Sequence, residues 1–115
     1  MNTNILRKDF VIKRRDRINE ILKEGQRFRG TFTSLYYLPS QRMAFAVLIR
    51  KDVGKPFQRN KVKRWIREIY RIEFPQLARQ FEVIVLAHCR YHSITYRSLR
   101  DDMLALFQKL KDTLL

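Results

Sequence analysis

The sequence predicts one α+β domain, a two-layer sandwich in which helices pack on a small mixed sheet, and three observations carry that prediction. Apolar residues recur first at helical spacing, then at strand spacing, and the two patterns alternate in the order α, β, β, α, β, α. A chain of 115 residues is long enough to bury one core and too short for a second module. Hydrophobic residues make up 45% of it, which is outside the range of disordered chains, and repeats and low-complexity tracts are absent.

Residues 1–15 form a basic lead-in with no assignable regular structure, although Phe10 and Ile12 could tack it onto a core. Asp16 reads as an N-cap, Ile18, Ile21 and Leu22 repeat at helical spacing, and Gly25 suits a C-cap, which gives a first helix over 16–24. Residues 28–38 and 41–50 are rich in β-branched and aromatic side chains. With Pro39-Ser40 between them they predict an antiparallel hairpin. Gly54 and Pro56 mark a loop, and Pro56 is pre-set for the first turn of a second helix. That helix stops by Glu73, because Phe74 precedes Pro75 and is pushed toward an extended conformation. Residues 82–88 are a continuous apolar run of the kind that occupies the centre of a sheet. A third helix follows, capped by Ser93 or Thr95, with Tyr96, Leu99, Met103, Leu106 and Leu110 on its core-facing stripe. Helices on one face of the sheet complete the expected architecture.

Charge narrows the function. Lys and Arg number 25 against 11 acids, for a formal charge of +14. Self-repulsion on that scale opposes a compact state, and the usual compensation is a polyphosphate partner with release of its counterions. The start lacks an apolar signal region, and the longest apolar run, 43–49, is too short to cross a bilayer. A soluble, cytoplasmic protein without a membrane partner is therefore expected. The single cysteine, Cys89, cannot form an internal disulfide and reads as a buried free thiol.

The cations concentrate in the second helix. Arg59, Lys61, Lys63, Arg64, Arg67 and Arg71 stand against one acid, Glu68. At ~100° per residue, Val62, Trp65, Ile66 and Ile69 fall in one arc, and Asn60, Lys63, Arg64, Arg67 and Arg71 in another. One side docks and the other grips polyanion. A salt-bridged, solvated face would alternate in sign, and this one does not. Arginine predominates, and its planar fork can bond two phosphate oxygens or stack on an exposed base. Asn60 admits two readings, a contact to a base edge or ribose hydroxyl, or a local cap. Gly54 and Lys55, just before the helix, could form an anion-binding nest or an ordinary turn.

The basic helix, its loop and the order of elements resemble the protein subunit of bacterial ribonuclease P. The family motif Arg-Asn-x-x-Lys-Arg-x-x-Arg-Glu stands here as Arg59, Asn60, Lys63, Arg64, Arg67 and Glu68, and the preceding Lys-x-Val-Gly-Lys as Lys51, Val53, Gly54 and Lys55. The resemblance covers residues 12–111, with Leu35-Tyr36 matching a Leu-Tyr strand. It implies an endoribonuclease in which a catalytic RNA carries out magnesium-dependent removal of the 5′ leader from precursor tRNA, with Mg²⁺ in the RNA–protein holoenzyme and no catalytic residue or metal site in this chain. The basic helix, Arg59 to Arg71, would bind the catalytic RNA. A cleft lined by Ile18, Leu22, Tyr36 and Leu48, with Arg50 and Lys51 at its edge, would hold the leader, and Gly54 and Lys55 would form a phosphate loop. A left-handed crossover around the second helix is also implied, against the right-handed form found in about 98% of such units. Ile18 and Leu22 stand where the family usually offers aromatics, and Asp52 stands where it offers a cation. Asp52 should repel phosphate unless it pairs with a neighbour such as Arg50.

Other chemistries are less well supported by the residues. His88, Cys89 and His92 offer three possible zinc ligands, but His88 and Cys89 would point to opposite faces of a strand. The two histidines could act as the acid and base of an autonomous nuclease, with no lysine or carboxylate evident to complete the site. Asp101 and Asp102 face different directions on a helix. Trp65 reads as core rather than as a base platform. A ribosomal or chaperone-type RNA-binding module is the alternative that the same charge would suit.

Overall fold

The computed structural model describes residues 12, 14–40, 44–73 and 81–113. Helix α1 (Arg15–Glu24) leads into strands β1 (Gln26–Arg29), β2 (Thr33–Pro39) and β3 (Ala44–Ile49). A short 3-10 turn (Lys51–Val53) precedes helix α2 (Pro56–Glu73), strand β4 (Phe81–Ala87), a second 3-10 turn (Tyr91–Ser93) and helix α3 (Tyr96–Asp112). The α+β class and the mixed sheet are as the sequence predicts, and α2 occupies the bounds expected of it. Gly25 ends α1 with its amide on Ile21 O at 2.8 Å. A Cβ there would collide with the carbonyl oxygens of Ile21 and Tyr37, so close backbone approach requires glycine. Thr95 caps α3 in a reciprocal pair with Ser98. Asp16 is not the N-cap of α1; Arg14 is, and Asp16 sits in the first turn, bonded to the Arg17 amide and paired with Arg14.

The predicted hairpin does not form. The sheet order is β1-β2-β4-β3, with β4 antiparallel to β2 and parallel to β3. Strands on either side of Pro39-Ser40 are therefore separated by β4. The physical reason lies in burial. A strand apolar on both faces gains most from the central position, and Phe81–Ala87 is the most continuously buried strand. Residues 28–38 also divide into two strands around Gly30, giving αβββαβα. The short β1, with Arg27 and Arg29 exposed, becomes a charged edge that resists further pairing.

Nor do the helices share one face. Register aligns Tyr37, Val83 and Phe45 in one row across the sheet and Leu35, Val85 and Val47 in the next. These odd-numbered residues belong to the main core with Val62, Ile66 and Ile69 of α2 and Leu99, Met103 and Phe107 of α3. The even-numbered row Tyr36, Ile84 and Ala46 points the other way, into a smaller cluster with Ile12 and Ile21. Helix α1 covers only part of that second face. Because side chains alternate along a strand, two-sided cover demands the unbroken apolar runs seen in β3 and β4.

Candidate nucleic-acid interface

Amphipathic periodicity turns α2 so that Val62, Ile66, Ile69 and Tyr70 are buried while Asn60, Lys61, Arg64 and Arg67 are exposed. Arg59, Lys63 and Arg71 are half-buried. Arg71 lies 3.8 Å from Glu68. Among the described residues, Arg59, Lys61, Lys63, Arg64 and Arg67 have no acid within ion-pair distance. Five cations thus remain available to an external anion. Asn60 lies inside the helix, four residues after Pro56, and bonds no backbone group, so it is not a cap. Trp65 is half-buried at the border of the core, stacked beside Tyr91 and edge-on to Tyr96.

The predicted cleft residues converge. Ile18 and Leu22 of α1, Tyr36 of β2 and Leu48 of β3 form the half-exposed margin of the smaller cluster, whose buried floor contains Ile21, Ala44, Ala46 and Ile84. Alanine at 46 leaves space that a larger side chain would fill. A cleft of about 170 Å³ runs along β3, lined by Ile12, Ile18, Phe45, Ala46, Val47 and Leu48 and, from α2, by Lys63 and Arg67; of the four predicted residues Ile18 and Leu48 line it, while Leu22 and Tyr36 belong to the same cluster but lie outside its walls. Sequence reasoning did not place those two cations beside the cleft. Nor did it include Leu38 and Ala46, which period-2 alternation from Tyr36 and Leu48 identifies. Arg17 fixes the depth of α1 over the sheet: its guanidinium donates to both oxygens of the buried Glu82 at 2.9 and 2.6 Å, and this pairing raises the already high pKa of Arg17.

At the edge, Arg50 and Lys51 are exposed, and Arg50 pairs with Asp52 at 2.7 Å, which offsets the charge of that carboxylate. The Lys55 amide donates to Gln58 Oε1 at 2.9 Å. That bond supports the turn reading of Gly54-Lys55, with the exposed Lys55 ammonium left as its contribution to the interface. Cys89 is half-buried and donates to Thr31 O at 3.3 Å, while His88 lies at the end of β4 and His92 is exposed on the second 3-10 turn. Asp102 accepts from the amides of Thr31, Phe32 and Thr33 and from the Thr33 hydroxyl, at 2.7–3.1 Å. It locks the β1–β2 turn to α3. Arg7, Lys8 and Lys13 of the basic lead-in lie outside the described residues.

An arginine-rich helix face without internal acid partners, beside a half-apolar cleft on a mixed sheet flanked by helices, defines a small cationic α+β protein with a surface suited to polyanion. The comparisons agree with that class. The family model for ribonuclease P matches residues 6–111, and the chain belongs to that family. A ribonuclease P protein component of Natranaerobius thermophilus is 28% identical over 105 residues, covering 88% of this chain and 90% of its own. One from Thermus scotoductus is 30% identical over 95 residues, 82% of this chain but 56% of that longer relative. The solved RNase P protein of Staphylococcus aureus superposes with a TM-score of 0.80 at 20% identity, covering 90% of this chain and 97% of that one. The Thermotoga maritima protein gives 0.71 at 23%, covering 83% and 91%. At those identities the superpositions establish the fold. No helix among the described residues is long and apolar enough to cross a membrane.

Proposed function

We propose that this chain is the protein subunit of a ribonuclease P ribonucleoprotein, binding the catalytic RNA through α2 and the 5′ leader of precursor tRNA in the cleft under α1. The observation that carries this reading is the group of five α2 cations with no internal acid, two of which also line the cleft. The catalytic RNA would meet the outer arc, Asn60, Lys61, Arg64 and Arg67. A leader strand would rest its bases on Ile18 and Leu48 in the cleft and on Leu22 and Tyr36 of the adjoining cluster, with its phosphates near Lys63 and Arg50. Apolar contact from Ile18 and Leu22 replaces the stronger aromatic stacking, worth ~1–3 kcal/mol per base.

Hydrolysis is assigned to the RNA. Among the described residues no three His, Cys, Asp or Glu side chains converge where they could hold magnesium. Asp52, Glu73, Glu82 and Asp102 are held by Arg50, Arg100, Arg17 and backbone amides respectively. The protein's part is to lower phosphate repulsion where RNA and substrate meet and to fix the leader beside the RNA active centre. A cytoplasmic site of action follows from that role.

Reconstitution tests the reading. With the cognate catalytic RNA and precursor tRNA at low magnesium, adding this protein is expected to accelerate cleavage at the mature 5′ end. No acceleration would overturn the proposal, and cleavage by the protein alone that disappears in His88→Ala or His92→Ala would replace it with an autonomous nuclease. Combining Arg64→Ala with Arg67→Ala should weaken holoenzyme assembly and reduce the slope of log K against log salt by about one to two units. Unchanged affinity across a salt series would remove α2 from the interface.

A further inference from the structure

Phe57, in the first turn of α2, is 68% exposed. Leaving a phenylalanine in water forgoes most of the free energy its burial would contribute. Helical phase places it four residues before Lys61 and eight before Trp65, so the three form one ridge along α2. That ridge borders the arc that carries Asn60 and Arg64. Lys61 Nζ lies 5.2 Å from the centroid of Trp65 and 6.0 Å from that of Tyr91, whose ring is inclined only 14° to Trp65 at a centroid separation of 6.4 Å. The ridge thus runs from a bare ring, through a cation held over aromatic faces, to a paired aromatic corner.

We infer that this ridge is a base-stacking contact, in which Phe57 takes the face of an unpaired nucleobase and Lys61 the adjoining phosphate or base. The inference rests on the reading of α2 as the surface facing the catalytic RNA. Charge selects this occupant over a protein. Asn60, Lys61 and Arg64 share the Phe57 side of the helix by phase, all exposed, and the first acid along the helix, Glu68, lies toward Arg71. A second copy of the chain would bring a like charge of +14 to the contact. An RNA strand neutralises the surrounding cations and has π-faces to offer, and every base provides one.

Binding of the cognate catalytic RNA to Phe57→Ala, Phe57→Leu and Phe57→Tyr, each over a salt series, tests the inference, with the single tryptophan, Trp65, as an internal fluorescence reporter. Stacking predicts that the alanine and leucine variants lose roughly tenfold in affinity with an unchanged salt slope, because a neutral side chain releases no counterion. Tyrosine should retain wild-type affinity, and RNA should quench Trp65 emission in the wild type. The exposed position predicts unaltered thermal melting for all three variants. Wild-type affinity in Phe57→Ala, or full affinity in Phe57→Leu, would overturn stacking. So would a Phe57→Ala defect confined to self-association in sedimentation. If Arg64→Ala with Arg67→Ala weakens assembly while Phe57→Ala does not, the ridge fails and the RNA-binding role of α2 stands; if neither weakens it, both fall.

Discussion

Single side chains show how closely stability and the interface are interleaved on one helix. Tyr70 belongs to α2, yet its ring stacks on Phe45 at 3.7 Å between centroids, and its hydroxyl is buried without a hydrogen-bond partner among the described residues. Burial pushes that phenol up to about 12. The neutral form is favoured in the folded state, so folded protein holds more protons than unfolded protein between the ordinary phenol value of about 10 and about 12. Stability is full below pH 10 and falls as pH rises through that window, by about 2–3 kcal/mol from this group. Tyr70→Phe removes the unpaired hydroxyl without changing the ring and is expected to stabilise by about 1 kcal/mol at neutral pH. Denaturant unfolding of both proteins from pH 7 to 11 checks this, the difference widening above pH 10. A less stable Tyr70→Phe variant would show that the hydroxyl is satisfied.

At the level of elements, placement is governed by alternation across the sheet and by a few polar ties. Glu82 is the acid in a strand otherwise wholly apolar, and it faces α1 because it is in phase with Ile84 rather than Val83. Arg17 meets it there, so the same parity that builds the cleft floor anchors the helix above it. On the other side, the Asp102 carboxylate gathers three backbone amides of the β1–β2 turn. Gly30 is required at that point, since a Cβ would lie 2.5 Å from Asp102 Oδ1. Asp102→Ala should cost about 1–3 kcal/mol, measured by urea unfolding, and release β1 first in hydrogen exchange, because three turn amides and the buried Thr33 hydroxyl lose one acceptor together. Loss below about 0.5 kcal/mol would mean the turn holds its shape without the carboxylate.

Over the whole molecule, 25 cations against 11 acids set two opposing salt effects. Screening relieves self-repulsion in the free protein, and it removes the counterion gain on binding RNA. Raising salt from about 50 to 500 mM should therefore raise the Tm of the free protein by a few degrees, read by circular dichroism, while affinity for RNA falls by orders of magnitude. A Tm that fell with salt would mean that internal ion pairs such as Arg17–Glu82 and Arg100–Glu73 outweigh the net repulsion.

Much of this arrangement was legible in the chain. The bounds of α2, the caps Gly25 and Thr95, the stripe of α3 and the cationic arc are local consequences of a ~3.6-residue period and of which residue types stop a helix. The convergence of Ile18, Leu22, Tyr36 and Leu48 followed from family resemblance, not from spacing, since three different elements supply them. Strand pairing was not legible. Pro39-Ser40 is a good turn whether or not its flanking strands become neighbours, and no local rule states that β4 enters between them. For the same reason the second helical face was missed: continuous apolar runs report burial on both sides of a strand, not which helix covers each side.

The sequence by itself determined a cationic α+β protein with one helix divided into docking and polyanion-binding sides, because charge count and periodicity act within a few residues of chain. Tertiary structure alone decided that β4 parts β2 from β3, that α1 crosses the face opposite α2 and α3, and that Lys63 and Arg67 reach the cleft beside Ile18 and Leu48. Those outcomes depend on which buried surfaces fit together when the chain closes on itself. That is a property of contacts between residues far apart in sequence, where local pattern has no reach.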